Sequence, residues 1–86
     1  MRVRRRPATD ALTRDGETVL LFASKVVRLS AMGAAIYDIA QEPVTVEALV
    51  DELELRFGTP TDQSVGDITQ RAVSDLLRLG VLYRHV

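Results

Sequence analysis

The 86-residue chain has no cysteine, no tryptophan, one histidine, three prolines and only 5% aromatic residues. Without cysteine there can be no disulfide, no thiolate nucleophile and no cysteine-based metal site. No apolar run approaches the ~18 residues needed to cross a bilayer. The N-terminus also lacks the ~7–15-residue apolar stretch of a secretory signal, so the sequence reads as cytoplasmic. Catalytic constellations are missing as well. The single histidine, His85, stands one residue from the chain end, where it reads as a mobile tail residue rather than a base or ligand. Of the four serines, two fall at helix starts and none has an evident base partner. Asp51, Glu52 and Glu54 read as a solvated helix face rather than a hard-cation site. No glycine-rich phosphate loop is present. The chain is therefore expected to be neither an enzyme nor a holder of a metal or cofactor.

What is there is a small core and an uneven distribution of charge. A chain of this length forms one domain that buries roughly 60–65% of the surface its unfolded form exposes, which leaves little room for a deep cavity. The formal net charge is −1, but Arg2, Arg4, Arg5 and Arg6 supply four of the 11 basic residues. The remaining 7 bases face all 12 acids, a formal −5 for residues 7–86. The expected organisation is thus a basic N-terminal arm over residues 1–8, solvated or serving as a first strand, and a mildly acidic folded domain over residues 9–86.

The order of elements carries the fold. Thr9–Arg14 alternates weakly and Val19–Phe22 is apolar, with the Asp15-Gly16 turn between them. An Asp-Gly pair joining two such runs is a strong hairpin signal, because both positions need positive φ. The unbroken apolar run Val19–Phe22 predicts a central strand. Ala23-Ser24 turns the chain again into Lys25–Leu29, predicted as an edge strand. Ser30 then caps a first helix running to about Gln41, with Met32, Ala35, Ile36 and Ile39 at helical spacing. Thr45 caps a second, with Leu49, Val50, Leu53 and Phe57 as its apolar stripe and Gly58 closing it. After the polar loop 59–63, Ser64 and Asp67 open a third helix that ends at Gly80. Val81-Leu82-Tyr83 reads as a short terminal strand or packed tail. The expectation is an α+β, winged-helix-like domain: a three-stranded antiparallel sheet followed by three helices.

The third helix has more apolar residues than one stripe needs. Val65, Ile68, Ala72, Val73, Leu76, Leu77 and Leu79 spread over more than one face, and the surplus either lines a groove or packs on residues 81–86 or a second subunit.

In this order and spacing, VLLFASKVVRLSAMGAAIYDI, PVTVEALVDELELRFG and AVSDLLRLGVL resemble the PqqD family over about residues 9–83. These are small recognition domains for the leaders of ribosomally made, modified peptides. Leu29-Ser30 stands where the family has a Leu-Asn-like pair before the first helix. Thr45, Val46 and Leu49 match its Thr-Val-x-x-Leu/Ile helix start, and Leu76, Leu79, Gly80 and Val81 match its Leu-x-x-Leu-Gly-hydrophobic ending. Ser30 in place of Asn keeps the capping role, whereas Gln41-Glu42-Pro43 replaces an acidic-Gly turn. These departures leave the pathway open between quinone cofactor, lasso peptide and others.

The resemblance implies a non-catalytic mechanism. The leader of a precursor peptide adds as an antiparallel strand to the edge strand Lys25, Val26, Val27, Arg28 and Leu29, in the groove between it and the third helix. Either Val26 and Arg28 or Val27 and Leu29 face the leader, depending on register. From the helix it implies Ile68, Arg71, Ala72, Asp75, Leu76 and Leu79, with Arg71 and Arg28 meeting leader carboxylates. The expected partners are the precursor leader peptide and a separate maturation enzyme, a leader peptidase or a radical SAM enzyme. A membrane partner is not expected.

Two other readings share the architecture. A DNA-binding winged helix needs a basic recognition helix, and the third helix offers Gln70, Arg71 and Arg78 against Asp67 and Asp75, so nucleic acid is disfavoured. A homodimerisation module would pair the exposed strand with its own copy.

Overall fold

The structure, a computed structural model, describes residues 1–58 and 64–86; the polar loop expected over 59–63 lies outside the described residues. Its elements in chain order are β1 (Arg2–Arg5), β2 (Asp10–Arg14), β3 (Glu17–Leu21), β4 (Val26–Leu29), α1 (Ala31–Ile39), β5 (Val44–Thr45), α2 (Val46–Phe57), α3 (Val65–Arg78) and β6 (Leu82–His85). The fold is α+β, with three helices and two antiparallel sheets of three strands each among the described residues.

The first sheet has the order β2-β3-β4. Asp15 and Gly16 take φ of 53° and 80°, the left-handed pair that a two-residue hairpin turn needs to match strand twist. β3 is the central strand, with Leu20 fully buried, while β4 ends the sheet.

The sequence-predicted caps form as hydrogen bonds. Ser30 Oγ accepts from Gly33 N–H at 3.2 Å, Thr45 Oγ1 from Ala48 N–H at 3.1 Å, and Ser64 Oγ from Asp67 N–H at 3.4 Å. Each satisfies one of the amides that a helix start leaves without a partner. α3 ends on a paired lock: Gly80 N–H donates to Leu77 C=O at 3.1 Å and Val81 N–H to Leu76 C=O at 2.9 Å. Gly80, at φ 76°, supplies the left-handed turn and Val81 brings an apolar side chain back to the core. The Leu-x-x-Leu-Gly-Val spacing is therefore the residue pattern of this helix stop.

The second sheet, order β5-β1-β6, is the main departure from expectation. Residues 2–5, expected to be either a solvated basic arm or a first strand, form its central strand, in which Val3 is fully buried between arginines. His85, read as a tail residue, is half-buried in β6 opposite Arg2. The junction after β1 is anchored by Tyr37 of α1, whose buried hydroxyl donates to Arg6 C=O at 2.8 Å and accepts from Ala8 N–H at 3.1 Å. Arg5 lies over the same ring, its guanidinium 4.8 Å from the centroid.

One core joins all layers. Val3 of β1, Leu20 of β3, Val27 and Leu29 of β4, Ile36 of α1, Leu49 and Leu53 of α2, Val73 and Leu76 of α3 and Leu82 of β6 form a single buried cluster. α1 packs on β3, β4 and both other helices, and α3 packs on α2 and β6. This leaves β4 as a sheet edge standing beside α3.

Candidate functional site

The outer edge of β4 can be assigned group by group. Phe22 N–H donates to Lys25 C=O at 2.9 Å across the Ala23-Ser24 turn, so Phe22 and Lys25 form a hydrogen-bonded pair. Such pairs alternate along an antiparallel ladder. With Leu21 opposite Val26, Leu20 opposite Val27, Val19 opposite Arg28 and Thr18 opposite Leu29, the pairs bonded to β3 are those of Val27 and Leu29. The N–H and C=O groups of Val26 and Arg28 point away from the sheet. Side chains follow the same alternation: Val27 and Leu29 are buried, whereas Val26 is 64% exposed and Arg28 lies at the surface.

Beside this edge is a groove of about 220 Å³, lined by Arg28, Leu29, Ser30, Met32, Gly33, Ala72, Asp75, Leu76 and Leu79. Its floor is apolar, from Leu29, Met32, Ala72, Leu76 and Leu79. Its polar groups sit at the margins, with Arg28 on the strand side and Asp75 on the helix side. Asp75 is held by Arg78 one turn on, while among the described residues Arg28 has no carboxylate within ion-pair distance. At one end Lys25 Nζ donates to Leu79 C=O, placing a cation on the C-terminal carbonyls of α3, where the helix dipole favours it. This bond ties the start of β4 to the end of α3.

Among the described residues the outward backbone groups of this edge have no backbone partner, and the apolar trough lies beside them. The model of the family described as coenzyme PQQ synthesis protein D (PqqD) matches residues 17–82. The chain belongs to the PqqD family. No curated protein and no solved structure matches it. Membership makes this PqqD-family chain an accessory protein in the biosynthesis of PQQ or of other ribosomally made, modified peptides. The matched segment runs from the start of β3 to the start of β6 and so contains both walls of the groove.

The structure brings Arg28, Leu29, Ala72, Asp75, Leu76 and Leu79 together in this PqqD-family groove. Lys25 closes an end, Val26 contributes backbone from an outward position, and Val27 is core. Ile68 is half-buried on α3 and is not among the lining residues. Arg71 is elsewhere: it shares a separate, open recess with Asp67, Gln70 and Ser74. Ser30 and Met32, which the sequence marks only as cap and core residues, also line the groove, as does Gly33. Their signal was positional, since α1 begins directly where β4 ends and its first turn must lie at that end of the edge. A Cβ on Gly33 would meet nothing closer than 3.5 Å, so close packing does not require glycine there.

Among the described residues no group of three or more His, Asp or Glu side chains is placed to hold a metal ion. No helix is long and apolar enough to cross a membrane.

Proposed function

We propose that this protein captures the leader of a precursor peptide as an added antiparallel strand on β4 and presents it, without catalysing a reaction itself, to a separate maturation enzyme. The observation that carries this reading is the coincidence of the outward Val26 and Arg28 backbone groups with the apolar groove beside them. Each new backbone hydrogen bond contributes about 0.5–1.5 kcal/mol net, an affinity that tolerates many leader sequences. Discrimination comes from the groove, where alternate leader side chains meet Leu29, Met32, Ala72, Leu76 and Leu79. Arg28 recruits a leader carboxylate at the margin.

A charge-reversal pair tests this. Candidate leaders are the N-terminal segments of short reading frames neighbouring the gene, labelled and titrated by fluorescence anisotropy. Arg28→Glu weakens leader binding by about tenfold or more, about 1.4 kcal/mol, and Arg71→Glu on the other face of α3 leaves it within about twofold. Both side chains are exposed, so stability moves by no more than about 0.5 kcal/mol. Equal losses from the two variants would remove the groove from the account.

A further inference from the structure

The second sheet presents a face of its own. Arg2, Arg4 and Arg6 alternate along the chain and project from one side of β1, the side opposite the buried Val3. The register sets His85 opposite Arg2 and Tyr83 opposite Arg4, so both rings share that face. Arg6 confirms the placement, with its guanidinium 5.3 Å from the centre of the Tyr83 ring. A recess of about 370 Å³ opens here between Arg4, Arg5, Pro7, Tyr83 and the end of α1, with Glu42 its one acidic wall residue. Among the described residues, the ion pairs involve only Arg56 and Arg78 as cations. Among the described residues the arginine ladder is thus held in no ion pair, Arg4 Nε donating instead to Gln41 C=O at 3.3 Å, on a molecule whose remaining residues are net acidic.

We propose that this face docks an acidic protein surface, the carboxylate-bearing side of the enzyme that receives the peptide. The Arg6 guanidinium, stacked on the Tyr83 ring, is held flat with its N–H fork free, which lowers the ordering cost of bidentate carboxylate recognition. A single-stranded nucleic acid fits less well, because it uses open aromatic faces for base stacking. On this face Arg6 covers the Tyr83 ring. The face shares no residue with the groove, so a partner seated on it leaves the leader in place. The purpose of the docking rests on the leader-binding reading; its chemistry does not.

The probe is a labelled oligo-glutamate peptide, compared with an oligo-dT strand of equal formal charge, at low and at moderate salt. The expected result is saturable oligo-glutamate binding that weakens with salt. The doubly reversed Arg2→Glu/Arg6→Glu protein loses at least about tenfold of it, and its circular dichroism and leader affinity stay unchanged. Arg2→Gln/Arg6→Gln is the milder variant should the double reversal disturb β1, and it shows a smaller loss of the same sign. Wild-type oligo-glutamate affinity in both variants overturns the proposal. Tighter binding of oligo-dT than of oligo-glutamate overturns it in favour of nucleic acid, and a loss produced by Arg28→Glu instead overturns it by placing the acid in the groove. Leader binding that fails while acid binding survives removes only the adaptor reading.

Discussion

Val26→Pro is expected to weaken leader binding by roughly 5- to 150-fold, about 1–3 kcal/mol, by deleting an outward N–H and leaving its partner on the leader unpaired. The same substitution one residue later has a different outcome. Val27 lies in a pair bonded to β3 and its side chain is buried, so Val27→Pro removes a ladder bond inside the sheet and forces a ring into the core. Proline is tolerated on an edge strand where its missing donor faced solvent and is excluded where that donor was used. Val26→Pro should therefore remain cooperatively folded, with a thermal midpoint near that of the parent. Val27→Pro should lose about 3 kcal/mol or more. Thermal melts followed by leader titrations separate the two, and a folded Val27→Pro protein that binds leader normally would show the assigned parity to be reversed.

The second large effect is on stability. Ile36 is fully buried on α1, the helix that packs on β3, β4, α2 and α3. Ile36→Ala removes the side chain at the meeting point of the layers, and such truncations cost about 2–5 kcal/mol when the site cannot collapse. A domain of this size shifts its midpoint by roughly 4–8 °C per kcal/mol, so a fall of at least about 8 °C is expected in calorimetry. Leu55 provides the contrast: it is 82% exposed on α2, and Leu55→Ala should stay within about 0.5 kcal/mol. A melting curve for Ile36→Ala close to the parent's would mean that the core does not centre on α1. Because α1 also supplies Ser30, Met32 and Gly33 to the groove, a loosened α1 should weaken leader binding in proportion.

What could be read from the sequence was local. The Asp15-Gly16 turn, the capping serines and threonine and the Leu76–Val81 helix stop each depend on a few neighbouring residues, and all of them formed where the pattern put them. The second sheet depends instead on pairing Arg2 with His85 across nearly the whole chain. Nothing within Arg2–Arg5 announces it, since Val3 is its one apolar residue and β5 contributes only two residues. The site divides in the same way. That β4 would be an edge followed from the order of elements, and that α3 would flank it followed from the family resemblance, but which residues of β4 face outward turned on the two-residue turn at Ala23-Ser24 and its single closing hydrogen bond. A slip of one position exchanges Val26 and Arg28 for Val27 and Leu29. Arg71 shows the corresponding limit for helices. It stands roughly 100° around the axis from Ala72, close enough to join the stripe on paper and far enough to open onto another recess.

The most direct test is amide hydrogen exchange across β4 with and without a bound leader. Val27 and Leu29, already bonded to β3, should be slow in both states, while Val26 and Arg28 should exchange fast in the free protein and become protected when the leader is added. Protection that appears instead on β2 or β1, with Val26 and Arg28 still fast in a saturated complex, would contradict strand addition at β4.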